Sequence, residues 1–180
     1  MSEVALQELL SLTIPQDRIA TSPARPRDEA KLLIIHRQKG VMEDRRIRDL
    51  PEVIPQRNLL IMNNSRVIHS RLICSENRTE ILLLEETSPG WWTALGTPAK
   101  RLQPGTLIKP DPVPKTSTGK NPPKLRVEKT IPGGQMILRV VEGPLDLSIF
   151  GLPPLPPYIL KARKNIGQGN FNPNDPIDYQ

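Results

Sequence analysis

The sequence predicts a strand-rich chain in which a small β-barrel or β-sandwich follows a set of buried strands. Between residues 66 and 143, about six short apolar segments alternate with turn residues. Upstream, continuous apolar runs at 32–35 and 59–62 are typical of strands buried on both faces. Proline accounts for 21 of the 180 residues, and 14 of these lie between Pro104 and Pro176. A long helical bundle is therefore excluded.

Length and composition limit the possibilities further. A chain of 180 residues has room for one domain, with or without a smaller inserted one, and is too short for a large multidomain enzyme. Lys and Arg number 25 against 19 Asp and Glu, giving a formal net charge of +6. This excess suits a polyanion such as RNA or DNA, although many basic proteins bind no nucleic acid.

Cysteine and histidine are scarce, which limits the disulfide bonds and metal sites that the chain can form. A single cysteine, Cys74, cannot form an internal disulfide, and together with His36 and His69 it does not make a structural zinc site. We expect no metal and a reducing, cytoplasmic location. The first twelve residues lack the features of a signal peptide, and no apolar run approaches the ~18 residues of a membrane span.

The first third of the chain predicts one helix and four strands. A short helix over residues 3–12 ends before Pro15, and 21–28 form a loop. A buried strand at 32–35 is followed, after a turn at Lys39-Gly40, by a charged, edge-like strand at 41–48. A second buried strand covers 59–62, and an alternating strand covers 67–73.

The remaining sequence predicts the strands of the barrel or sandwich and then irregular chain. The further strands lie at 80–84, 91–95, 106–108, 125–128 and 136–141. Residues 109–123, with five prolines, predict a long exposed loop. Residues 151–180 contain two Pro-Pro pairs and almost no apolar periodicity, so we do not expect them to close a domain. The sequence thus suggests a piece of something longer.

Several segments together resemble a known family. In chain order these are Ile19-Ala20-Thr21-Ser22-Pro23, Pro26-Arg27-Asp28, Lys31-Leu32-Leu33-Ile34, Arg48-Asp49-Leu50-Pro51, the run from Leu59 to Ile68 that includes Asn63-Asn64-Ser65-Arg66, Arg71-Leu72, Glu80-Ile81-Leu82-Leu83-Leu84, Lys100-Arg101-Leu102, Leu155-Pro156-Pro157-Tyr158-Ile159 and Tyr179-Gln180. In order and spacing they resemble the S-adenosylmethionine:tRNA ribosyltransferase-isomerases of queuosine biosynthesis, the QueA family. The resemblance covers the N-terminal half of such proteins.

The resemblance implies both a fold and an activity. The fold is an α/β host domain, incomplete here, interrupted by an inserted small antiparallel β-barrel. Residues 1–65 would begin the host, 66–145 would form the barrel, and 146–180 would return to the host. The activity is transfer of the ribosyl moiety of S-adenosylmethionine, a co-substrate, to 7-aminomethyl-7-deazaguanine at the tRNA wobble position, giving epoxyqueuosine.

The resemblance also implies candidate residues for binding S-adenosylmethionine or the target base. Arg27 and Asp28 match the family's Arg-Asp pair, although such a pair can simply fasten a loop. The family usually has Asn-Asp-Thr-Arg where this chain has Asn63-Asn64-Ser65-Arg66. Asn63, Ser65 and Arg66 are candidates, whereas Asn64 replaces a carboxylate and cannot accept a proton. The alternative is that this segment is only a polar turn that joins two domains. Tyr158 and Tyr179 complete the set, Tyr158 as a stacking platform or a packing anchor.

Two basic groups are candidates for contacting RNA phosphates. Arg45, Arg46 and Arg48 form the densest basic group, and Lys100 and Arg101 precede a Pro-Gly turn. A charged sheet edge, or an ordinary solvated pair of charged side chains, has the same sequence pattern. His69 and Ala99 are further departures from the family pattern.

The expected partners are the anticodon stem-loop of tRNA and S-adenosylmethionine, with no membrane. We expect either a monomer or a chain whose missing half is supplied elsewhere. The catalytic group is not identifiable. An alternative is a noncatalytic remnant, or an RNA-binding module, of the same family.

Overall fold

The computed structural model describes residues 14–114, 119, 121–169 and 171–179. Within them, nine strands occur, which in chain order are β1 (Lys31–His36), β2 (Val41–Arg46), β3 (Arg71–Cys74), β4 (Thr79–Ser88), β5 (Trp91–Thr97), β6 (Leu107–Ile108), β7 (Lys124–Ile131), β8 (Gln135–Glu142) and β9 (Gly151–Leu152). The α-helices are α1 (Leu50–Val53), α2 (Leu147–Phe150), α3 (Pro157–Asn165) and α4 (Asp175–Asp178). The predicted helix over 3–12 lies outside the described residues.

The chain divides into two compact units. Unit 1 consists of Met1–Ser65 and Pro156–Asn172, and unit 2 consists of Arg66–Leu155 and Pro173–Gln180. Both units therefore draw on two separate stretches of the sequence.

Unit 1 is built around a two-stranded hairpin. β1 and β2 pair antiparallel, from Lys31 opposite Arg46 to His36 opposite Val41. Gly40 adopts a φ of +63° in the connecting turn, a left-handed conformation that glycine takes without a Cβ penalty. In the later stretch, Arg163 donates from Nε to the carbonyl oxygen of Thr21 at 2.9 Å, which fastens α3 to the start of the unit.

The two apolar runs of unit 1 are not buried strands, contrary to the prediction. In β1, half-buried residues alternate with exposed ones, and Leu33 and Ile35 are 55% and 59% exposed. Residues 59–62 lie in no strand, and all four side chains are exposed. An apolar run shows that burial of its side chains is favourable, but other segments of polypeptide have to cover it. The described part of unit 1 contains no such covering layer.

Unit 2 contains one antiparallel sheet of seven strands in the order β6-β7-β8-β5-β4-β3-β9. Irregular register in the β4–β5 and β7–β8 pairs marks β-bulges, which bend a sheet, and the sheet curls into half of a barrel. Among the described strands β6 and β9 remain its two edges. A mostly antiparallel β-structure is confirmed, whereas closure into a small barrel is not.

The hydrophobic core of unit 2 is formed mainly by the buried side chains of its alternating strands. Thirteen buried residues form it: Leu72, Cys74, Ile81, Leu83, Ala94, Leu102, Ile108, Leu125, Val127, Met136, Leu138, Ile149 and Phe150. Every strand from β3 to β8 contributes, and α2 adds the last two. Helix α2 begins where Asp146 Oδ1 accepts a hydrogen bond from the Ser148 backbone NH at 3.0 Å.

A charged pair also crosses the sheet of unit 2. Arg71, only 3% exposed, donates from Nε and Nη2 to the two carboxylate oxygens of Glu80 at 2.5 and 3.0 Å. Such two-pronged contacts suit the planar guanidinium.

The proline-rich stretch after β6 is less exposed than predicted. The side chains of Pro110, Val113 and Pro123 are buried. Asp111 donates its backbone NH to the carbonyl of Ile73 at 2.7 Å, and Val113 donates to that of Ile149 at 2.8 Å. These bonds hold the described part of the stretch against the sheet, because a buried backbone must find partners.

The last thirty residues contain more regular structure than predicted. Helix α3 begins at Pro157, and the fixed φ of proline suits the first helical position. A Pro-Pro pair thus precedes a helix here rather than irregular chain. None of the helices in the described residues is long and apolar enough to cross a membrane.

Candidate functional site

A polar cleft in unit 1 is lined by two of the predicted residues. It encloses about 390 Å³ and is lined by Lys31, Asp44, Arg45, Arg46 and Asp49. Its lining contains three basic and two acidic side chains, so the excess of positive charge is small. Two of the three predicted RNA-binding arginines of this region, Arg45 and Arg46, line the cleft.

The turn that carries Arg27 and Asp28 is joined to the end of β2. Ile47 donates its backbone NH to the Ala30 carbonyl at 2.9 Å, and Arg46 donates from Nη1 to the Glu29 carbonyl at 2.9 Å. The Arg27–Glu29 segment forms a 3-10 turn in which Arg27 and Asp28 are exposed. The predicted ligand-binding turn and the predicted RNA-binding group therefore adjoin each other.

Acidic neighbours neutralise this basic group. Arg45 donates from Nε to Glu43 Oε1 at 2.5 Å, and Arg48 pairs with the carboxylate of Glu29. The hydrogen bonds from Arg45 and His36 hold the pKa of Glu43 below its usual value, and the carboxylate raises the pKa of Arg45. An arginine that already pairs with a carboxylate gains less free energy from contact with a phosphate.

The Asn63-to-Arg66 segment forms an exposed turn. Asn63 Oδ1 accepts a hydrogen bond from the Ser65 backbone NH at 2.8 Å, the geometry of an Asx turn. The prediction that this turn joins two strands is wrong, because residues 58–70 belong to no strand and β3 begins only at Arg71. Ser65 ends the first stretch of unit 1 and Arg66 begins unit 2.

The two candidate tyrosines occupy different surroundings. Tyr158 is the second residue of α3 and is 56% exposed, which leaves its ring face accessible for stacking. Tyr179 follows α4, is half-buried, and donates its backbone NH to the Asp175 carbonyl at 3.1 Å.

A second basic cluster in unit 2 is not neutralised. Lys100 and Arg101 lie in a 3-10 turn at Ala99–Arg101, and Arg101 donates from Nη1 to the Arg78 carbonyl at 2.9 Å. The side chains of Arg78, Lys100 and Arg101 are exposed, and within the described part of the chain none of them forms an ion pair. Arg78 was not among the predicted residues; its turn, with a φ of +51°, lies far from residue 100 in sequence.

Unit 2 also contains an apolar cleft that no sequence motif predicted. It encloses about 470 Å³ and is lined by Ile68, Glu86, Gly90, Trp92, Val140, Pro144, Leu145 and Leu147. Glu86 Oε1 accepts a hydrogen bond from the Gly90 backbone NH at 2.9 Å, so its carboxylate also shapes the β4–β5 turn. Elsewhere in unit 2, the Arg139 guanidinium lies 5.3 Å from the ring centre of Trp91.

The thiol and the possible metal ligands show no catalytic arrangement within the described residues. Cys74 is fully buried, and burial together with the nearby Asp111 charge raises its pKa to about 12. No group of three or more His, Cys, Asp or Glu side chains suited to a metal occurs in that part of the chain.

Comparison with known proteins identifies relatives along almost the whole sequence. The family profile described as "Queuosine biosynthesis protein" matches residues 8–180. Proteins named S-adenosylmethionine:tRNA ribosyltransferase-isomerase are 38% identical in Synechococcus elongatus, over 81% of this chain, and 35% identical in Methylorubrum extorquens, over 96% of it. A Thermus thermophilus protein of the same name is 37% identical over 81% of the chain.

These matches cover 42%, 48% and 44% of the respective relatives, so the chain spans about half the length of the curated relatives it matches. Among solved structures, the S-adenosylmethionine tRNA ribosyltransferase of Thermotoga maritima is 29% identical. That match covers 71% of this chain and 42% of the other, with a TM-score of 0.32.

Proposed function

The chain belongs to the family of queuosine biosynthesis proteins, and on this premise we propose that it serves S-adenosylmethionine-dependent ribosyl transfer to tRNA. The acceptor is 7-aminomethyl-7-deazaguanine at the wobble position, and the product is epoxyqueuosine. The observation that carries the proposal is the family match over residues 8–180, which includes both units.

S-adenosylmethionine is the co-substrate in this proposal, and it carries a positive sulfonium together with a carboxylate and an adenine ring. Arg27 and Asp28, exposed on one turn, offer charges of both signs to it. Asn63, Ser65 and Arg66 offer an amide, a hydroxyl and a guanidinium from a separate stretch of the sequence. Tyr158 offers an exposed ring on which adenine can stack, and Tyr179 is the last candidate.

RNA phosphates are contacted chiefly by Lys100 and Arg101, with Arg78 beside them. Exposed cations without acidic partners release counterions when a phosphate binds, whereas paired cations gain less. By this criterion the Lys100 cluster is a stronger phosphate site than Arg45, Arg46 and Arg48, which remain secondary candidates. The anticodon stem-loop is the proposed RNA element.

The finer architecture is also proposed rather than observed. Residues 1–65 and 146–180 contribute to an α/β host domain, and residues 66–145 form the inserted barrel, although residues 146–155 and 173–180 fall in unit 2 of this structure. The half-barrel sheet of unit 2 supports the second part of this assignment. We further propose a cytoplasmic protein that acts either as a monomer or with the missing half supplied elsewhere.

A second function, a noncatalytic RNA-binding module of the same family, is favoured by one specific observation. Asn64 stands where the family usually has a carboxylate. An amide hydrogen-bonds but does not take up a proton during catalysis.

Adenine release distinguishes the two functions. The folded chain is incubated with S-adenosylmethionine and an anticodon stem-loop that contains 7-aminomethyl-7-deazaguanine, and adenine is measured by chromatography. Release above a no-enzyme control supports the transferase. Binding of the stem-loop without adenine release supports the module, and neither binding nor release would contradict both.

A charge reversal tests the RNA surface. Lys100→Glu should weaken stem-loop binding by about tenfold in ~0.1 M salt and reduce the slope of log K against log salt by about one, because one phosphate contact is lost. The matched control is Lys129→Glu, at an exposed residue on β7 of the same unit. Equal effects of the two variants would indicate nonspecific attraction instead of a site at Lys100.

A further inference from the structure

The apolar cleft of unit 2 combines an apolar wall with a single charge. Of its eight lining residues, Glu86 is the charged one. Trp92, Val140, Leu145 and Leu147 are partly buried side chains that pack against the hydrophobic core of the same unit. The enclosed volume of about 470 Å³ lies within the ~300–1,000 Å³ that is typical of pockets for small ligands. Such pockets are mostly apolar and contain a few polar groups that orient the ligand.

Strand register places the carboxylate of this cleft beside its aromatic ring. Glu86 on β4 lies opposite Trp92 on β5 in an antiparallel pair, so the two side chains share one face of the sheet. The adjacent Trp91 points to the other face, where Arg139 lies over its ring. The cleft is therefore lined by Trp92 and not by its neighbour.

Hydrogen bonds to the β4–β5 turn orient the Glu86 carboxylate. Oε1 accepts from the Gly90 backbone NH at 2.9 Å, and the Gly90 carbonyl accepts from the Val140 backbone NH at 2.8 Å. These two bonds join the turn to β8 and hold one carboxylate oxygen. In the described part of the chain no cation pairs with Glu86, so Oε2 is available to a ligand.

The charge of the cleft indicates the charge of its occupant. The chain has a net charge of +6, but the lining of this cleft contributes one negative charge and no positive one. A carboxylate next to an indole suits a cation that is attached to a planar ring, because the carboxylate pairs with the cation and the indole stacks on the ring. An anionic group on the ligand would find no cation in the lining.

These requirements distinguish the two substrates of the proposed reaction. S-adenosylmethionine carries a carboxylate, for which the lining offers no cation. The base 7-aminomethyl-7-deazaguanine is planar and carries one ammonium group and no anionic group. Proteins that modify a base take it out of the stack into a pocket, and bases in RNA loops stack on aromatic side chains. The cleft therefore suits the base and not the co-substrate.

We propose that the apolar cleft of unit 2 binds the aminomethyl-bearing base of the tRNA, with Trp92 stacking on the ring and Glu86 Oε2 pairing with the ammonium group. Glu86 then distinguishes this base from one that lacks the aminomethyl group. The proposal rests on the proposed function for the identity of the base. Lys100, by contrast, contacts phosphates and contributes equally to RNA with either base.

Two anticodon stem-loops test the specificity. One contains 7-aminomethyl-7-deazaguanine at the wobble position and the other contains 7-deazaguanine, which lacks only the aminomethyl group. Fluorescence anisotropy of the end-labelled RNA, without S-adenosylmethionine, gives both dissociation constants. The chain should bind the aminomethyl stem-loop about tenfold more tightly, because the other lacks one charge-assisted hydrogen bond. Glu86→Gln should abolish this preference, since the amide can still accept from Gly90 but carries no charge.

The matched control is Glu85→Gln, which removes the same charge from the next residue of β4. Glu85 does not line the cleft, and both glutamates are exposed, so neither substitution disturbs the core. The preference for the aminomethyl stem-loop should persist in Glu85→Gln.

Tryptophan fluorescence locates the base without RNA. The chain contains two tryptophans, so Trp91→Phe leaves the emission of Trp92 and Trp92→Phe leaves that of Trp91. Added free 7-aminomethyl-7-deazaguanine should quench the emission of Trp92 and leave that of Trp91 unchanged, because Trp92 is the tryptophan that lines the cleft.

Several results would overturn the proposal: equal affinity for the two stem-loops, the same loss of preference in Glu86→Gln and Glu85→Gln, or no quenching of Trp92 by the free base. Failure of the proposed function gives a different result, in which no adenine is released although the preference and the quenching persist. Adenine release by a chain that shows neither would refute the base site and leave the proposed function standing.

Discussion

Unit 1 and unit 2 contain similar apolar segments but use them differently. In unit 2 the segment at 80–84 belongs to β4, and Ile81 and Leu83 are 0% and 3% exposed. In unit 1 the segment at 59–62 is more continuous, and its side chains are 57–86% exposed. Unit 2 contains the layers that bury its strands, and the described part of unit 1 does not. An apolar segment is therefore stabilised by burial, and the arrangement of the other segments determines whether the same chain buries it.

Truncation of one leucine in each unit should give the largest contrast. Leu138→Ala, in the fully buried core of unit 2, should lower the free energy of unfolding by ~2–5 kcal/mol because it leaves a cavity. Leu59→Ala should change it by less than ~0.5 kcal/mol, because that side chain remains in water in both states. Guanidinium denaturation measures both variants, with tryptophan fluorescence reporting on unit 2, which contains Trp91 and Trp92, and hydrogen exchange reporting on unit 1.

For this measurement Leu107→Ala is a control, because Leu107 is exposed although it belongs to unit 2. A loss at Leu59 equal to that at Leu138 would show that the side chains of residues 59–62 are covered in solution by some part of the chain.

The reactivity of the Cys74 thiol tests the core of unit 2 without a substitution. With its pKa raised to about 12, Cys74 stays a buried neutral thiol at pH 8, so its reaction with a disulfide reagent should be more than ~100-fold slower in the folded protein than in guanidinium. An ordinary cysteine thiol ionises near pH 9.0. The unfolded chain therefore releases its proton first, and the stability of unit 2 should fall as pH rises from about 9 towards 12.

The matched variant is Cys74→Ala, in which the decline above pH 9 should be weaker because no thiol is left to ionise. Rapid labelling of the folded protein, or identical alkaline declines for the two chains, would contradict an intact core around this residue.

The smallest effect is expected at the charged edge of unit 1. Glu43 has a lowered pKa in the folded protein, so its stabilising contribution is present above its ordinary value of 4.5 and is lost as pH falls through the lowered value. Glu43→Gln should therefore remove a small stabilisation at pH 7 and none at the acid end of that range. Because the pair with Arg45 is exposed, high salt should abolish the difference.

Thermal unfolding of the two chains at pH 7 and in acid, with and without 1 M salt, measures this effect. A larger difference in acid than at pH 7 would contradict the assigned direction of the pKa shift.

The strands of unit 2 could be predicted because each forms a local alternating pattern next to a turn. Ile81 and Leu83 alternate with half-buried neighbours, and Met136 and Leu138 repeat the pattern in β8. The failures have non-local causes. Burial at 59–62 depends on chain that is not adjacent. Helix α3 is missed because the Pro-Pro pairs and the lack of apolar periodicity predict irregular chain, whereas Pro157 occupies a first helical position.

The candidate site was predictable only as a set of residue types. From the sequence, Arg48 and Lys100 are both candidates for contacting RNA phosphates, and no local feature distinguishes them. The structure distinguishes them, since Arg48 pairs with Glu29, nineteen positions away, whereas Lys100 lies near Arg78 and has no acidic partner among the described residues. Such pairings depend on tertiary structure and leave no local signal.

The Arg71–Glu80 pair has a consequence for how β3 and β4 find their alignment. The two residues lie diagonally across the strands, since Arg71 is opposite Leu82 and Glu80 is opposite Ile73. A slip of the two strands would leave the buried Arg71 guanidinium without its carboxylate, which disfavours the slipped alignment. The ion pair and the packing of the core therefore both favour the observed alignment of β3 and β4. For the same reason, neither residue can change alone without penalty, and descendants of this sequence should substitute the two positions together.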